Sequence, residues 1–510
     1  MSCLDELFAS APDRAGPLLT LHAPGAPARA LDAEALGRMV ESVAAWLAHI
    51  GLRRGDRLGI LAPNGLEWIL LDLAALRLGL VTAGFEPESF SGRSDLCARY
   101  GLARLVHAEP CPASEGAGDA AIPVSRVLAA ASEPAAASPP PVRYSPDDVV
   151  TIKFTSGSTG EAKGLGATVA SIEQSLTSVQ SLFRHGPDDT LLVFLPLSLL
   201  QQRYWIYSAL LFGHAVVVTT SARVFEAMRI EAPSVVMGVP VFFDALKTRI
   251  EDLAESLPAE PGEAVRQAAR RVMGPNVRYL WTGSAPARPD VLAFFDEACG
   301  TPLFEGYGMN ETCIVSKNHP GAHRRGSVGR PLDGIDLALD AEGGLLVKRR
   351  CPVNTAYLFA APGVSERVFG PGGTVRTGDL AWIDDDGYLY ILGRADDVVV
   401  LESGRNVAVR AIEEAIERDP RVQAAIVLGS GRAHLGAIVC PSPGTSPEAA
   451  AAAARGAGAD GKGPGVVAVV VASEPFSATN GLLTSQGKPR RSTIAARYAT
   501  EIERAYGGPR

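Results

Sequence analysis

The chain has no Cys-x-x-Cys pair: its seven cysteines, Cys3, Cys97, Cys111, Cys299, Cys313, Cys351 and Cys440, are scattered and odd in number. That pattern argues against a disulfide framework and against a zinc site, and it reads as a reducing, cytoplasmic setting. Positive charge is also scarce. A formal net charge of -8 excludes a sequence-independent nucleic-acid surface, which needs clustered lysine and arginine. No run reaches the roughly 18 apolar residues that a membrane span requires. The longest candidate, residues 205–218, is broken by Tyr207, Ser208, Gly213 and His214. The opening Met1-Ser-Cys-Leu-Asp-Glu is acidic where a secretory signal carries positive charge. Finally, the common nucleotide loop, two glycines five apart followed by Lys-Ser or Lys-Thr, is missing. What remains is a globular enzyme of 510 residues, too long for one core, so at least two domains are expected.

The early chain alternates helix and strand. Asp32 is placed to cap a helix in which Leu36, Met39, Val40, Val43, Leu47 and Ile50 recur at helical spacing, with Gly51 closing it. A strand is predicted at 57–61, and Asn64 is read as opening a second helix that runs to about Leu78. This rhythm predicts an α/β fold with a largely parallel sheet. Residues 112–142, rich in Ala, Pro and Ser, read as a surface connector without chemistry.

The stretch Thr155-Ser-Gly-Ser-Thr-Gly-Glu-Ala-Lys-Gly164 follows an apolar, β-rich run at 149–154. Its hydroxyls and glycines let backbone N–H groups turn inward around an anion, so Thr155, Ser156, Gly157, Ser158, Thr159, Gly160 and Lys163 are candidate phosphate-binding residues. A Ser/Gly-rich surface turn would look the same in isolation. Beyond it, an aromatic helix carries Tyr204, Trp205 and Tyr207, and a buried strand ends at Val239 before Phe242. Such aromatics build core more often than pocket. Gly283, Ser284 and Ala285 form a small-residue turn where a flat ligand can approach the backbone. Phe304-Glu-Gly-Tyr-Gly-Met-Asn-Glu-Thr312 flanks Tyr307 with Gly306 and Gly308 and offers Glu311 as a hard oxygen ligand for Mg²⁺ beside phosphates. Thr377-Gly-Asp379 places a carboxylate on a glycine turn, within reach of ribose hydroxyls.

At Gly393-Arg394 the texture changes to a compact α+β unit, so the boundary is set between domains 1–394 and 395–510. Near the end, Lys488 falls on a loop between a turn and a final helix, a position where a lysine is ordinarily only a solubilising charge.

In their order, these motifs resemble the adenylate-forming superfamily of acyl-CoA synthetases, peptide-synthetase adenylation domains and luciferases. Within it they look most like the long-chain acyl-CoA synthetases. The resemblance implies a large N-terminal domain of α/β subdomains plus a small β-barrel-like part, hinged to a small mobile C-terminal lid. It implies ATP, Mg²⁺ and CoA as co-substrates, with a carboxylic acid activated to acyl-AMP and pyrophosphate released. By the same resemblance, Lys488 is the catalytic lysine bridging the carboxylate and the α-phosphate, with Thr155 and Glu311 completing the catalytic set. Tyr307, with Glu305, Gly306, Gly308 and Asn310, faces the adenine, opposite the backbone of Gly283 to Ala285. Asp379 and Arg394 hold the ribose, Asp396 is the hinge, and Gly404 lies on the loop brought up for thiol attack.

The chain departs from that family in several places. Thr168 and Val169 stand where relatives often carry a histidine, Leu199 replaces another, Ala162 and Val409 replace prolines, and Asn310 replaces Thr or Ser. The adenylation residues are thus more complete than those for thioester formation, leaving open an acyl-AMP ligase that passes its product to a carrier or partner protein. The expected acid pocket uses Tyr204, Trp205, Tyr207, Val239 and Phe242, and it implies a bulky apolar acid, whether a fatty chain or a polycyclic, terpenoid-like acid. A phosphotransferase or ATPase, or a non-catalytic nucleotide binder, would use the same phosphate loop. Neither a nucleic acid nor a membrane span is expected among its partners.

Overall fold

A computed structural model describes residues 2–8, 14–23, 25–109, 112, 118–133, 139–155, 162–457, 465–477, 479–483 and 489–507. Two large sheets dominate the first 330 residues. The six-stranded sheet runs Ala121–Pro123, Arg104–His107, Arg57–Leu61, Val81–Gly84, Val149–Thr155, Lys163–Thr168, and is parallel except for its last pair. The nine-stranded sheet has a parallel centre, Leu303–Met309, Tyr279–Thr282, Val235–Gly238, Thr190–Val193, Ala215–Val218 and Leu19–Leu21, with antiparallel strands at both edges. Parallel strands must be covered on both faces, and the covering helices come from the crossovers. Helix Leu66–Leu78 is buried on all sides, as a helix apolar around its whole circumference must be. One apolar core joins both sheets to this helix and to helices Ala33–His49, Val169–Phe183 and Leu200–Phe212.

A four-stranded antiparallel sheet follows, Ile335–Leu339, Gly344–Arg349, Thr374–Ile383 and Leu389–Arg394. Residues beyond it carry two apolar clusters of their own, around strands Val422–Leu428, Leu435–Pro441 and Val466–Val471. The chain is therefore the α/β fold expected, with a large N-terminal part, a small β part and a small α+β C-terminal part.

Two local expectations are corrected. The supposed connector contains strand Ala121–Pro123 and helix Ser125–Ser132, whose Val127 is fully buried, because the alanines there have an apolar face to pack. Asn64 does not cap helix Leu66–Leu78; Gly65 occupies the cap position. Instead the Asn64 amide donates to Leu195 O and Thr219 O at 2.9 and 3.1 Å and accepts from Leu197 N–H at 2.8 Å, tying together two strand ends of the nine-stranded sheet. A side chain with both donor and acceptor is better used there than on one helix end.

Candidate active site

Strands Val149–Thr155 and Lys163–Thr168 pair antiparallel with Thr155 opposite Lys163. The pairing holds Lys163 on the second strand, directly across from Thr155. Ser156, Gly157, Ser158, Thr159 and Gly160 lie outside the described residues, as does Lys488.

The next hairpin joins strands Leu303–Met309 and Cys313–Lys317, with a bulge between Tyr307 and Gly308. A Cβ on Gly308 would sit 2.1 Å from Cys313 O, so only glycine allows the two strands to approach this closely. The turn of this hairpin carries Asn310 and Glu311. Glu311 is buried, and its carboxylate accepts a 2.6 Å hydrogen bond from the Tyr357 hydroxyl. The Tyr357 ring in turn lies 5.0 Å from the Lys163 ammonium. Lys163, Tyr357 and Glu311 thus join the phosphate-loop hairpin to the Glu311 hairpin.

Behind them Lys153, a lysine in the middle of an apolar strand, donates to Asn310 O, and burial holds its amine below the usual lysine range. Arg349 donates to Thr312 O and Ile314 O from the opposite side. These two buried cations brace the backbone on both flanks of Glu311.

Three of the residues expected at the nucleotide, Tyr307, Asp379 and Arg394, form a second group. Tyr307 donates its hydroxyl to Asp379, and Arg394 pairs with the other carboxylate oxygen at 3.1 Å while donating to Thr377 O at 2.9 Å. Gly378, at φ +72°, lies against the Arg394 guanidinium, where a Cβ would come within 2.9 Å. Burial, then the Asp379 charge, pushes the Tyr307 phenol well up, so it stays a donor. Tyr307 lies on the strand that leads into the turn carrying Glu311, so the two groups share one hairpin.

The turn after Tyr279–Thr282 approaches the same strand. Gly283 is the narrow point, where a Cβ would lie 3.2 Å from Gly306 O, and Ser284 adopts φ +72°, a strained value for a residue with a side chain. Ala285 completes this partly exposed turn. Beneath it, Glu305 accepts from Ala287 N–H at 3.4 Å, and burial raises its carboxyl to about 7.

Of the residues expected around the acid, Tyr204 and Trp205 line a small cavity of about 10 Å³, room for roughly one water, between helices Val169–Phe183 and Leu200–Phe212. Met237 and Ile314 close it, and Tyr204 reaches Cys313 Sγ at 3.3 Å, so the cavity abuts the Glu311 hairpin. Tyr207 is directed elsewhere. Its hydroxyl donates to Asp72, which pairs with Arg203 at 3.0 Å in a fully buried network that includes Thr82 and Thr151. Val239 and Phe242 pack into a separate apolar cluster with Phe194 and Phe243. The cavity wall is mixed, since Ser175, Gln180, Gln201 and Ser208 stand among its apolar residues.

Asp396 falls in the turn Ala395–Asp397, directly after the four-stranded sheet. Gly404, exposed and at φ +77°, sits on the turn between strands Val398–Val400 and Asn406–Ala408. Helix Arg410–Glu417 starts against Gly393.

Among the described residues no three or more His, Cys, Asp or Glu side chains gather as a metal cage. Among the described residues no helix is long and apolar enough to cross a membrane.

Sequence reasoning missed Tyr357, Arg349 and Lys153. Lys153 had a legible signal, because a lysine inside a buried strand must find acceptors. Tyr357 had none, since its partner is 46 residues away.

Residues 27–352 match the AMP-binding enzyme family, and residues 396–456 match the AMP-binding enzyme C-terminal domain. Among curated proteins, the chain is 25% identical to the long-chain-fatty-acid–CoA ligase FadD15 of Mycobacterium bovis, with 92% of this chain and 90% of that one covered. It is 30% identical to the sulfoacetate–CoA ligase of Cupriavidus necator, over 80% of each chain. Among solved structures, it matches the anthranilate CoA ligase AuaEII in complex with anthranoyl-AMP at a TM-score of 0.80 and 18% identity, covering 98% of this chain and 97% of that one.

Proposed function

Because the chain belongs to the AMP-binding enzyme family, we propose that it is an AMP-forming acid–thiol ligase, which activates a carboxylic acid with ATP and transfers the acyl group to CoA. The observation that carries this reading is that one hairpin holds both Glu311, bonded to Tyr357 beside Lys163, and Tyr307, bonded to Asp379 with its partner Arg394. One group is suited to phosphates and the other to a nucleoside.

A carboxylate is a poor electrophile, and conversion to acyl-AMP provides it with a good leaving group. The protein's task is to hold two anions in line while charge develops on the α-phosphoryl oxygens, which calls for fixed donors and cations. In this reading Thr155 to Gly160 wrap the β- and γ-phosphates, and Lys163, across from Thr155, adds positive charge. Glu311 would hold Mg²⁺, which would supply neutralisation of the phosphate charge. Tyr307 and the turn Gly283 to Ala285 flank the adenine beside Glu305, Gly306, Gly308 and Asn310. Asp379 and Arg394 fix the ribose, and Lys488 bridges carboxylate and α-phosphate.

We assign residues 1–394 to the nucleotide and acid sites and 395–510 to the lid. The separate apolar clusters of the C-terminal residues support that division. Rotation at Asp396 would withdraw Lys488 and bring the loop at Gly404 toward the adenylate for thiol attack.

The test is carboxylate-dependent exchange of labelled pyrophosphate into ATP, followed by CoA-thioester assay. Phosphate release without a carboxylate requirement would instead make the protein an ATPase. An adenylate that accumulates in the presence of CoA would make it an acyl-AMP ligase with another acceptor.

A further inference from the structure

Lys317 ends strand Cys313–Lys317 with only 1% of its surface exposed, and its amine nitrogen lies 3.7 Å from the centre of the Trp281 ring. Burial holds the amine well below the usual lysine range, with the Glu305 charge opposing. An amine taken out of water needs acceptors. Here Nζ donates to Phe304 O at 3.0 Å and to Thr282 O at 3.4 Å.

Both carbonyls stand towards the carboxyl ends of adjacent parallel strands, Tyr279–Thr282 and Leu303–Met309, whose pairing stops at Thr282 and Glu305. An open α/β sheet binds its ligands just beyond such strand ends. Immediately past that point lie the turn Gly283 to Ala285 on one strand and Gly306 and Tyr307 on the other. The lysine side chain crosses Gly306, its partner in the hairpin register, where a Cβ would come 2.6 Å from Lys317 Cδ and 3.0 Å from Nζ. The bare glycine at 306 therefore gives the lysine its passage to the two carbonyls.

Resting on the reading of the turn Gly283 to Ala285 and of Tyr307 as the two walls of the adenine site, we propose that Lys317 is a positioning residue for the nucleotide base: by bonding the last carbonyls of both strands it fixes how far apart the two walls stand. Buried as it is, the amine acts through that backbone and does not itself touch the nucleotide. The phosphate side has its own braces, Lys153, Arg349 and Tyr357 around the turn of Glu311. Loss of Lys317 is therefore felt at the base and not at the phosphates.

The experiment is calorimetric titration of the full chain with AMP and, separately, with pyrophosphate in the presence of Mg²⁺. It is repeated on Lys317→Met, which keeps an unbranched stem, loses the donor and leaves no charge in the core, and on Lys317→Gln, which keeps N–H donors on a shorter stem. Lys317→Met is expected to raise the Kd for AMP about tenfold, the scale of one lost hydrogen bond, and to leave the Kd for pyrophosphate unchanged. Lys317→Gln should recover part of the AMP affinity. A Kd belongs to the folded fraction, so a less stable variant still reports. An unchanged Kd for AMP in Lys317→Met overturns the proposal, as do equal losses for AMP and pyrophosphate, which would make Lys317 a brace of the whole fold; in both cases the nucleotide reading stands. Failure of the unmodified chain to bind AMP overturns both.

Discussion

The Tyr357 hydroxyl donates to the Glu311 carboxylate at 2.6 Å, while the same ring faces the Lys163 ammonium at 5.0 Å. One side chain therefore sets both the anionic and the cationic member of the phosphate side. A partner that orients a metal-binding carboxylate typically changes metal affinity by about ten- to a hundredfold when removed. Tyr357→Phe is expected to raise the Mg²⁺ concentration for half-maximal exchange about tenfold, with a smaller effect on the KM for the acid. A magnesium titration of the exchange reaction checks this.

The proposed reaction assigns Lys488 to both the carboxylate and the α-phosphate. Lys488→Ala is expected to lower acid-dependent exchange by at least about a hundredfold, the scale of losing one transition-state donor. Circular dichroism should be unchanged, and the KM for ATP should move little. If the variant still adenylates, the assignment of Lys488 fails.

The Arg203–Asp72 pair is buried, at 1% and 4% side-chain exposure; Tyr207 bonds Asp72, and Arg203 Nη1 bonds Thr82 and Thr151. Removing one partner leaves a charge in the core, so Arg203→Ala should cost about 3–5 kcal/mol in unfolding free energy. The double variant Arg203→Met, Asp72→Asn should recover much of that loss, because it leaves no uncompensated ion. Urea unfolding of the three proteins separates the cases.

Glu305 gives a pH dependence. Burial raises its carboxyl from 4.5 to about 7, against backbone N–H groups of Ala287 and Gly326 and the Lys317 charge, which lower it, with Glu414 adding to the rise. A raised folded-state value means that the neutral form is favoured in the fold. Its stabilising contribution is complete below pH 4.5 and is lost as pH rises through about 7. Above that, the fold carries a buried carboxylate at an order-of-magnitude cost of about 3 kcal/mol. Glu305→Gln should therefore stabilise the protein at pH 8.5 and have little effect at pH 5, as read by urea midpoints at the two values.

Much of the fold was legible in the chain because helix and strand periodicity and glycine punctuation are local. The helix capped by Asp32 and the strands at 57–61 and 149–155 stand where apolar spacing puts them. The structure also brings Tyr307, Asp379 and Arg394 into contact, residues that motif order alone had grouped. Asn64 was misread because its partners, Leu195, Leu197 and Thr219, are distant in sequence, and a cap is the nearest local use for an asparagine. Tyr207, which belongs to an aromatic run, faces Asp72 rather than the cavity, since residues two apart on a helix point to different sides.

The sequence by itself determined the family, the order of the motifs and the residue types that meet nucleotide and phosphate, because those requirements are steric and electronic and are written within a few adjacent positions. Only the tertiary structure decided that Tyr357 holds Glu311 across 46 residues, that Arg203 neutralises Asp72 across 131, and that Asn64 ties Leu195, Leu197 and Thr219 together. Each of these depends on which elements pack together, and in a buried setting a polar group's role is set by the partner that packing brings, or fails to bring, within hydrogen-bond reach.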